Sequence, residues 1–287
     1  MTLAATLDRL DAWWAAALGC GVTDFHRGGT LVARHGAALS DYPGLFALAR
    51  NRSCVISVPP ARFAPAVALF AGHRPRAAFD GDVLRQVFPL RGSTVIGPAW
   101  MGNADRTDFH AADSRDTRLL AYQDAAALRA LEAACDPVDW EHSGIDADHD
   151  LLFGRFHGPV LVAAGTGRRK GEGVLDIGIV THPGYRGHGY GRAVVSAMTT
   201  YGLVHGHVMR YRTLQANVPS FRIARALGYQ EYGLTIAVRP VDWPFFNRLD
   251  RSLREASPDA PWRRAVGSLR GSRRAIVIAG IGGQREH

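Results

Sequence analysis

The chain has 287 residues, 47% hydrophobic and 21% charged, which suits a folded protein with a sizeable core and excludes wholesale disorder. No apolar stretch reaches membrane-spanning length, and "MTLAATLDRLDAWW" lacks the basic start and apolar middle of a signal peptide, so a cytoplasmic location and no membrane partner are expected. The formal charge of +8 is carried almost wholly by arginine, Lys170 being the only lysine; coding bias produces such a skew as readily as ligand choice, so nucleic acid is a disfavoured partner.

In chain order, Leu3, Leu7, Leu10, Trp14 and Leu18 mark an amphipathic helix that Gly19 ends. "CVISV" (54–58) and "STVIGPAW" (93–100) read as strands with "RFAPAVALFAG" as a helix between them, making residues 1–115 a small α/β unit without a reaction signature. Cys20, Cys54 and Cys135 are odd in number, far apart and outside any CxxC pattern, so they suggest core thiols. From Thr117 the pattern sharpens. "TRLLAYQ" predicts a strand and "DAAALRALEAACD" a helix capped by Asp124, with "WEHSG" (140–144) as a loop or helix end beyond it. "LLFGRFH" and "PVLVAA" predict antiparallel strands turning at Gly158 and Pro159, "GTGRRKGEG" a loop, and "VLDIGIVT" a strand. A glycine cluster, a helix to about Gly206, the strand "HVMRYRTL", the helix "VPSFRIARALG" and the strand "YQEYGLTIAV" complete this part. A meander followed by βαβ crossovers indicates an α/β (α+β) fold with a mixed sheet over residues 116–240, and 241–287 reads as a basic extension holding nine arginines against five acids.

The glycine cluster is "HPGYRGHGYGRAVV", residues 182–195. It is not a Walker loop, because Lys170 is followed by Gly171 in a different loop. It is a poor dinucleotide fingerprint as well: six residues separate Val180 from Gly187, the glycines run GxGxG, and no acid follows before Glu231. What remains is a glycine turn leading into a helix whose first N–H groups lack partners at its positive end, a cradle for a pyrophosphate. Charge agrees, since Ile177 to Gln230 contains six arginines and no Asp or Glu. The competing reading is a plain strand-to-helix turn. His182, His188, His205 and His207 lack HExxH spacing, so no metal is expected.

Arg186-x-x-Gly189-x-Gly191 after "VLDIGIVTHP" resembles the pyrophosphate signature of the GNAT N-acetyltransferase superfamily, and "NVPSFRIARALGY" (217–229) resembles that family's second motif. The resemblance spans roughly 117–238 and implies a splayed mixed sheet flanked by helices that binds acetyl-CoA as co-substrate. It implies that Ile179, Val180 and Thr181 pair with the pantetheine arm, that the amides of Gly187, His188, Gly189, Tyr190, Gly191 and Arg192 take the pyrophosphate beside Arg186, and that Asn217 and Ser220 lie near the thiol. The implied reaction is direct acetyl transfer to a primary amine, of a small molecule or a peptide, in a ternary complex, with no enzyme nucleophile. A backbone N–H near Val180 is the expected oxyanion donor.

Asp176 is the candidate general base, because alternation sets it on one strand face with Gly178 and Val180; the alternative is an Asp merely bonded at a strand end. Glu172 and His157 are weaker candidates, and Glu141 and His142 are candidates for acceptor contacts. One departure stands out. Many family members carry a tyrosine seven residues after the Asn to protonate the thiolate, and Ala224 occupies that position here, leaving Tyr190, Tyr229, Tyr232 or water as donors. A non-catalytic acyl-CoA-binding module is therefore the alternative reading. The N-terminal unit is expected to shape the acceptor side or to mediate a homodimer.

Overall fold

A computed structural model describes residues 3–88, 92–145, 151–170 and 173–240. Helix α1 (Leu3–Leu18) follows its leucine stripe, burying Leu10, Trp14 and Leu18, and stops at Gly19, whose φ of +73° would strain any side chain. Strands β1 (Gly29–Arg34), β2 (Leu45–Arg50) and β3 (Ser53–Val58) follow, then the short helices α2 (Phe63–Phe70), α3 (Pro75–Ala78) and α4 (Gly81–Arg85). Next come the long strand β4 (Ser93–Ala104) and the three-residue β5 (Thr117–Leu119), shorter than "TRLLAYQ" predicts because a 3-10 turn at Tyr122–Asp124 interrupts it.

Helix α5 (Ala125–Ala134) begins after Asp124, but that carboxylate does not cap it. Asp124 instead accepts both guanidinium N–H groups of Arg118 at 2.7 Å and the amide of Ala121 at 2.8 Å. The segment read as a loop or helix end contains α6 (Pro137–Ser143), with Pro137 in its first turn, the Asp136 side chain accepting from Val138 N–H, and a left-handed Gly144 closing it. Strands β6 (Leu151–His157), β7 (Val160–Arg169) and β8 (Val174–Thr181) form the expected meander, with β7 running on into the segment read as a loop. Helix α7 (Tyr190–Val204), β9 (Val208–Leu214), α8 (Val218–Ala226) and β10 (Gln230–Pro240) complete the chain as described.

Ten strands among the described residues make one mixed sheet in the order β1-β3-β2-β10-β4-β9-β8-β7-β6-β5. Strands from both sides of residue 115 therefore share it. The crossover β8-α7-β9 is parallel, whereas β9 and β10 are not neighbours: β4, from before residue 115, lies between them and pairs antiparallel with both. Helices α1, α5 and α6 cover one face, packing on residues such as Val174, Val208, Met101 and Val180. Helices α2 to α4, α7 and α8 cover the other, packing on Ile56, Ile236, Ile177 and Trp100. Trp13, Trp14 and Trp100 belong to this packing: Trp14 stacks on Phe46 with centroids 5.2 Å apart, and Trp100 donates to Glu231 at 3.0 Å. No helix among the described residues is long and apolar enough to cross a membrane.

Candidate active site

The sheet opens in one place. Strand β8 pairs with β9 from Val174↔Val208 to Ile177↔Tyr211 and then stops, while β8 stays on β7 to Thr181↔Ala163 and β9 stays on β4 to Leu214↔Ala99. A wedge-shaped slot therefore separates residues 178–181 from 212–214. Its polar lining follows from the ladder. His182 N–H donates to Val162 and Lys170 N–H to Val174, so the even-numbered residues of β8 bond to β7 and the odd-numbered ones face β9, as Val208 N–H donating to Gly173 also requires. The main-chain groups of Ile179 and Thr181 thus face the slot. Val180 differs from expectation: its amide belongs to the β7 ladder and its side chain is buried among Leu131, Leu152 and Ala164, so its own N–H does not face the slot.

Helix α7 begins beside this slot. Gly187 and Gly189 hold φ of +84° and +79°, which aims the chain into the helix, and the first intrahelical bond runs from Ala193 N–H to Gly189. The amides of Tyr190, Gly191 and Arg192 precede it and have no partner within the helix. Gly191 is needed for closeness: a Cβ there would lie 2.9 Å from the Thr181 hydroxyl. Arg186 reaches back, its Nε to the Thr181 carbonyl at 3.3 Å and its terminal nitrogen to Asp139 at 2.8 Å, which ties the loop to α6. His188 stacks on Tyr190, and Arg192 is exposed. The expected phosphate-loop residues are thus brought together at one helix mouth.

Asp176 is placed differently from a free base. It sits opposite Arg210 in the β8–β9 register, accepts from Arg210 Nε at 2.8 Å and has Arg212 at 3.9 Å. Burial alone would raise its carboxyl, but the charges of Arg210 and Arg212 outweigh burial and hold it well below the usual carboxylate range. Arg210, only 1% exposed, lies 4.6 Å over the Trp13 ring, so α1 seals the pair from above. A carboxylate so paired has little proton affinity, which argues against the expected base role. His157 lies by the glycine turn, its Nδ1 3.1 Å from the Tyr190 hydroxyl, while Glu141 and His142 occupy exposed positions on α6. Glu172 lies outside the described residues, as does the extension 241–287.

Of the tyrosines considered as proton donors, two point elsewhere. Tyr229 OH meets Thr199 at 2.6 Å inside the core, and Tyr232 OH donates to Asp11 at 2.6 Å under α1. Ala224 is fully buried. The pattern of residues did not single out Tyr211, yet it occupies the last paired position before the slot and its hydroxyl lies 2.8 Å from that of Ser220. Ser220 N–H in turn donates to the Asn217 side chain, the N-cap of α8. Burial pushes the Tyr211 hydroxyl up to about 12, so it stays protonated. Only the periodicity of β9, which sets Tyr211 on the α8 face, could have hinted at this. Among the described residues no group of three or more His, Cys, Asp or Glu side chains is placed to hold a metal ion.

Residues 101–230 match the family model described as an acetyltransferase (GNAT) domain. No curated protein is significantly similar to the chain. Among solved structures, an acetyltransferase from the GNAT family of Colwellia psychrerythraea is similar at 16% identity and TM-score 0.47 over 84% of this chain and 98% of that one. A GCN5-related N-acetyltransferase from Kribbella flavida is similar at 17% identity and TM-score 0.44 over 84% and 96%. An aminoglycoside N-acetyltransferase in complex with CoA shares 23% identity at TM-score 0.33, over 41% of this chain and 92% of that one.

Proposed function

Residues 101–230 are an acetyltransferase (GNAT) domain, and from that premise we propose that the chain moves an acetyl group from acetyl-CoA to a primary amine, of a small molecule or a peptide, in the cytoplasm. The observation that carries this reading is the coincidence of two features: a sheet splayed at residues 178–181 and a helix mouth with unpartnered amides at residues 190–192. An extended pantetheine arm suits the first, since Ile179 and Thr181 offer main-chain donors and acceptors as a missing strand would meet them. A pyrophosphate suits the second.

Within this reading the amine attacks the thioester carbonyl, and the oxyanion that forms is held by an amide of the slot, Ile179 or Thr181. Collapse breaks the carbon–sulfur bond. The leaving thiolate then takes a hydrogen bond from Ser220, which Tyr211 backs, and the surplus proton of the attacking amine passes to water. Asp176 orients Arg210 and Arg212. The buried Ala224 favours a second reading, an acyl-CoA-binding module without turnover.

Calorimetric titration of acetyl-CoA into the wild type and Gly189→Asp tests the binding. A side chain at this left-handed position costs about 1–2 kcal/mol, and a carboxylate there repels the pyrophosphate, so the affinity should fall at least about tenfold. Absence of wild-type binding would end both readings, and binding without CoA release across an amine panel would select the second.

A further inference from the structure

Away from the slot, residues of α3 and of the β2–β3 hairpin border an open cavity of about 420 Å³. Leu234 of β10, Pro75, Phe79, Arg52, Arg74 and Arg76 are among the residues that line it. The slot is two strands off: Leu234 pairs with Trp100, and Trp100 with Thr213 of β9, roughly 10 Å across at ordinary strand spacing. The edge-to-face pair of Trp100 and Phe221 belongs to the core between them, on the same sheet face. The cavity therefore lies outside the slot proposed for acetyl-CoA.

Its composition is lopsided. Three exposed arginines are among its lining residues, its surface is mostly apolar, and no acidic residue lines it. The nearest acids in sequence are engaged elsewhere: Asp80 caps α4 by accepting from Asp82 and Val83 N–H, and Asp82 pairs with Arg85. Two other exposed arginines, Arg27 and Arg115, are paired with Asp24 and Asp113. Like charges kept together without an acid repel one another, and that repulsion is relieved when an anion binds. Guanidinium forks suit carboxylate and phosphate oxygens, and the Phe79 ring with Leu234 suits an apolar body. The volume falls in the range of small-molecule sites and is too small for a folded partner.

We propose that this cavity binds a small organic anion with an apolar body, a carboxylate or a phosphate ester, at a site separate from the acetyl-CoA slot. The test is calorimetry on the full chain with octanoate and with AMP as probes, under saturating CoA, comparing wild type with Arg74→Glu and Arg76→Glu. Both arginines are exposed, so both variants should fold and keep their CoA affinity. The expected result is one-to-one binding of at least one probe, weakened tenfold or more by each substitution; octanoate alone would mark a carboxylate site and AMP alone a phosphate site. Binding of neither probe at millimolar concentration, or binding that both variants retain, overturns the proposal. A single-stranded oligonucleotide that binds more tightly than either probe, with the same dependence on Arg74 and Arg76, overturns it too, by making the patch a polyanion surface.

Discussion

Asp176→Asn separates a proton acceptor from a structural ion. The carboxylate is 13% exposed and its partner Arg210 side chain 2%, with the bond at 2.8 Å. Removing one partner of a buried pair costs about 3–5 kcal/mol, because the remaining charge stays desolvated. Asparagine keeps an acceptor for Arg210 Nε, which argues for the lower end, about 3 kcal/mol. At about 2–4 °C per kcal/mol for a protein of this size, the unfolding midpoint should fall by roughly 6–12 °C. The pH dependence has a definite sign. The folded-state pKa of Asp176 is depressed, so its stabilisation is fully present above the unfolded value of about 3.9 and is lost as the pH falls toward the folded one. The gap between wild type and variant should therefore stay level from neutral pH to about pH 5 and close below about pH 4. Differential scanning calorimetry across pH, with acetyl-CoA titration well below the midpoint, measures both. An unchanged midpoint with turnover abolished, and the limb of the pH–rate profile that reports a base removed, would refute this account and restore Asp176 as the base.

Tyr211→Phe keeps the ring packed against Tyr229 and removes only the hydroxyl, so kcat should fall about tenfold while KM for acetyl-CoA holds; equal rates in steady-state assays would dismiss the hydroxyl pair. Arg186→Ala removes an exposed ion pair with Asp139 and should change stability by less than about 0.5 kcal/mol, while acetyl-CoA binding weakens and its salt dependence becomes shallower, as titrations at two ionic strengths would reveal. His207 is held down, to about 4, first by burial and then by Arg169 and His205, so the unfolded chain binds its proton first on acidification. Stability should drop as pH falls from about 6.5 toward about 4, and His207→Gln should flatten that slope in urea titrations.

Local patterns carried much of the architecture. Alternation in "VLDIGIVT" and the leucine stripe of α1 describe elements whose buried face is set by spacing along the chain, and both elements form where the spacing puts them. The geometry of the glycine turn was equally legible, because Gly187 and Gly189 act through their own backbone angles and the unpartnered amides follow from a helix starting there. Asp176 shows the limit. Its strand and face were readable, but its proton affinity depends on Arg210 and Arg212, thirty-odd residues away and brought beside it by a parallel crossover.

The amino-acid order by itself determined where most of the strands and helices form and where a helix mouth with unpartnered amides would open, since both depend on residues a few positions apart. Tertiary structure alone decided that β4 enters between β9 and β10, that β8 and β9 part after Ile177, that Val180 spends its amide on β7, and that Tyr211 meets Ser220. Those outcomes depend on which strands lie side by side, a choice made by the packing of the whole sheet between its two helical layers rather than by any short stretch of chain.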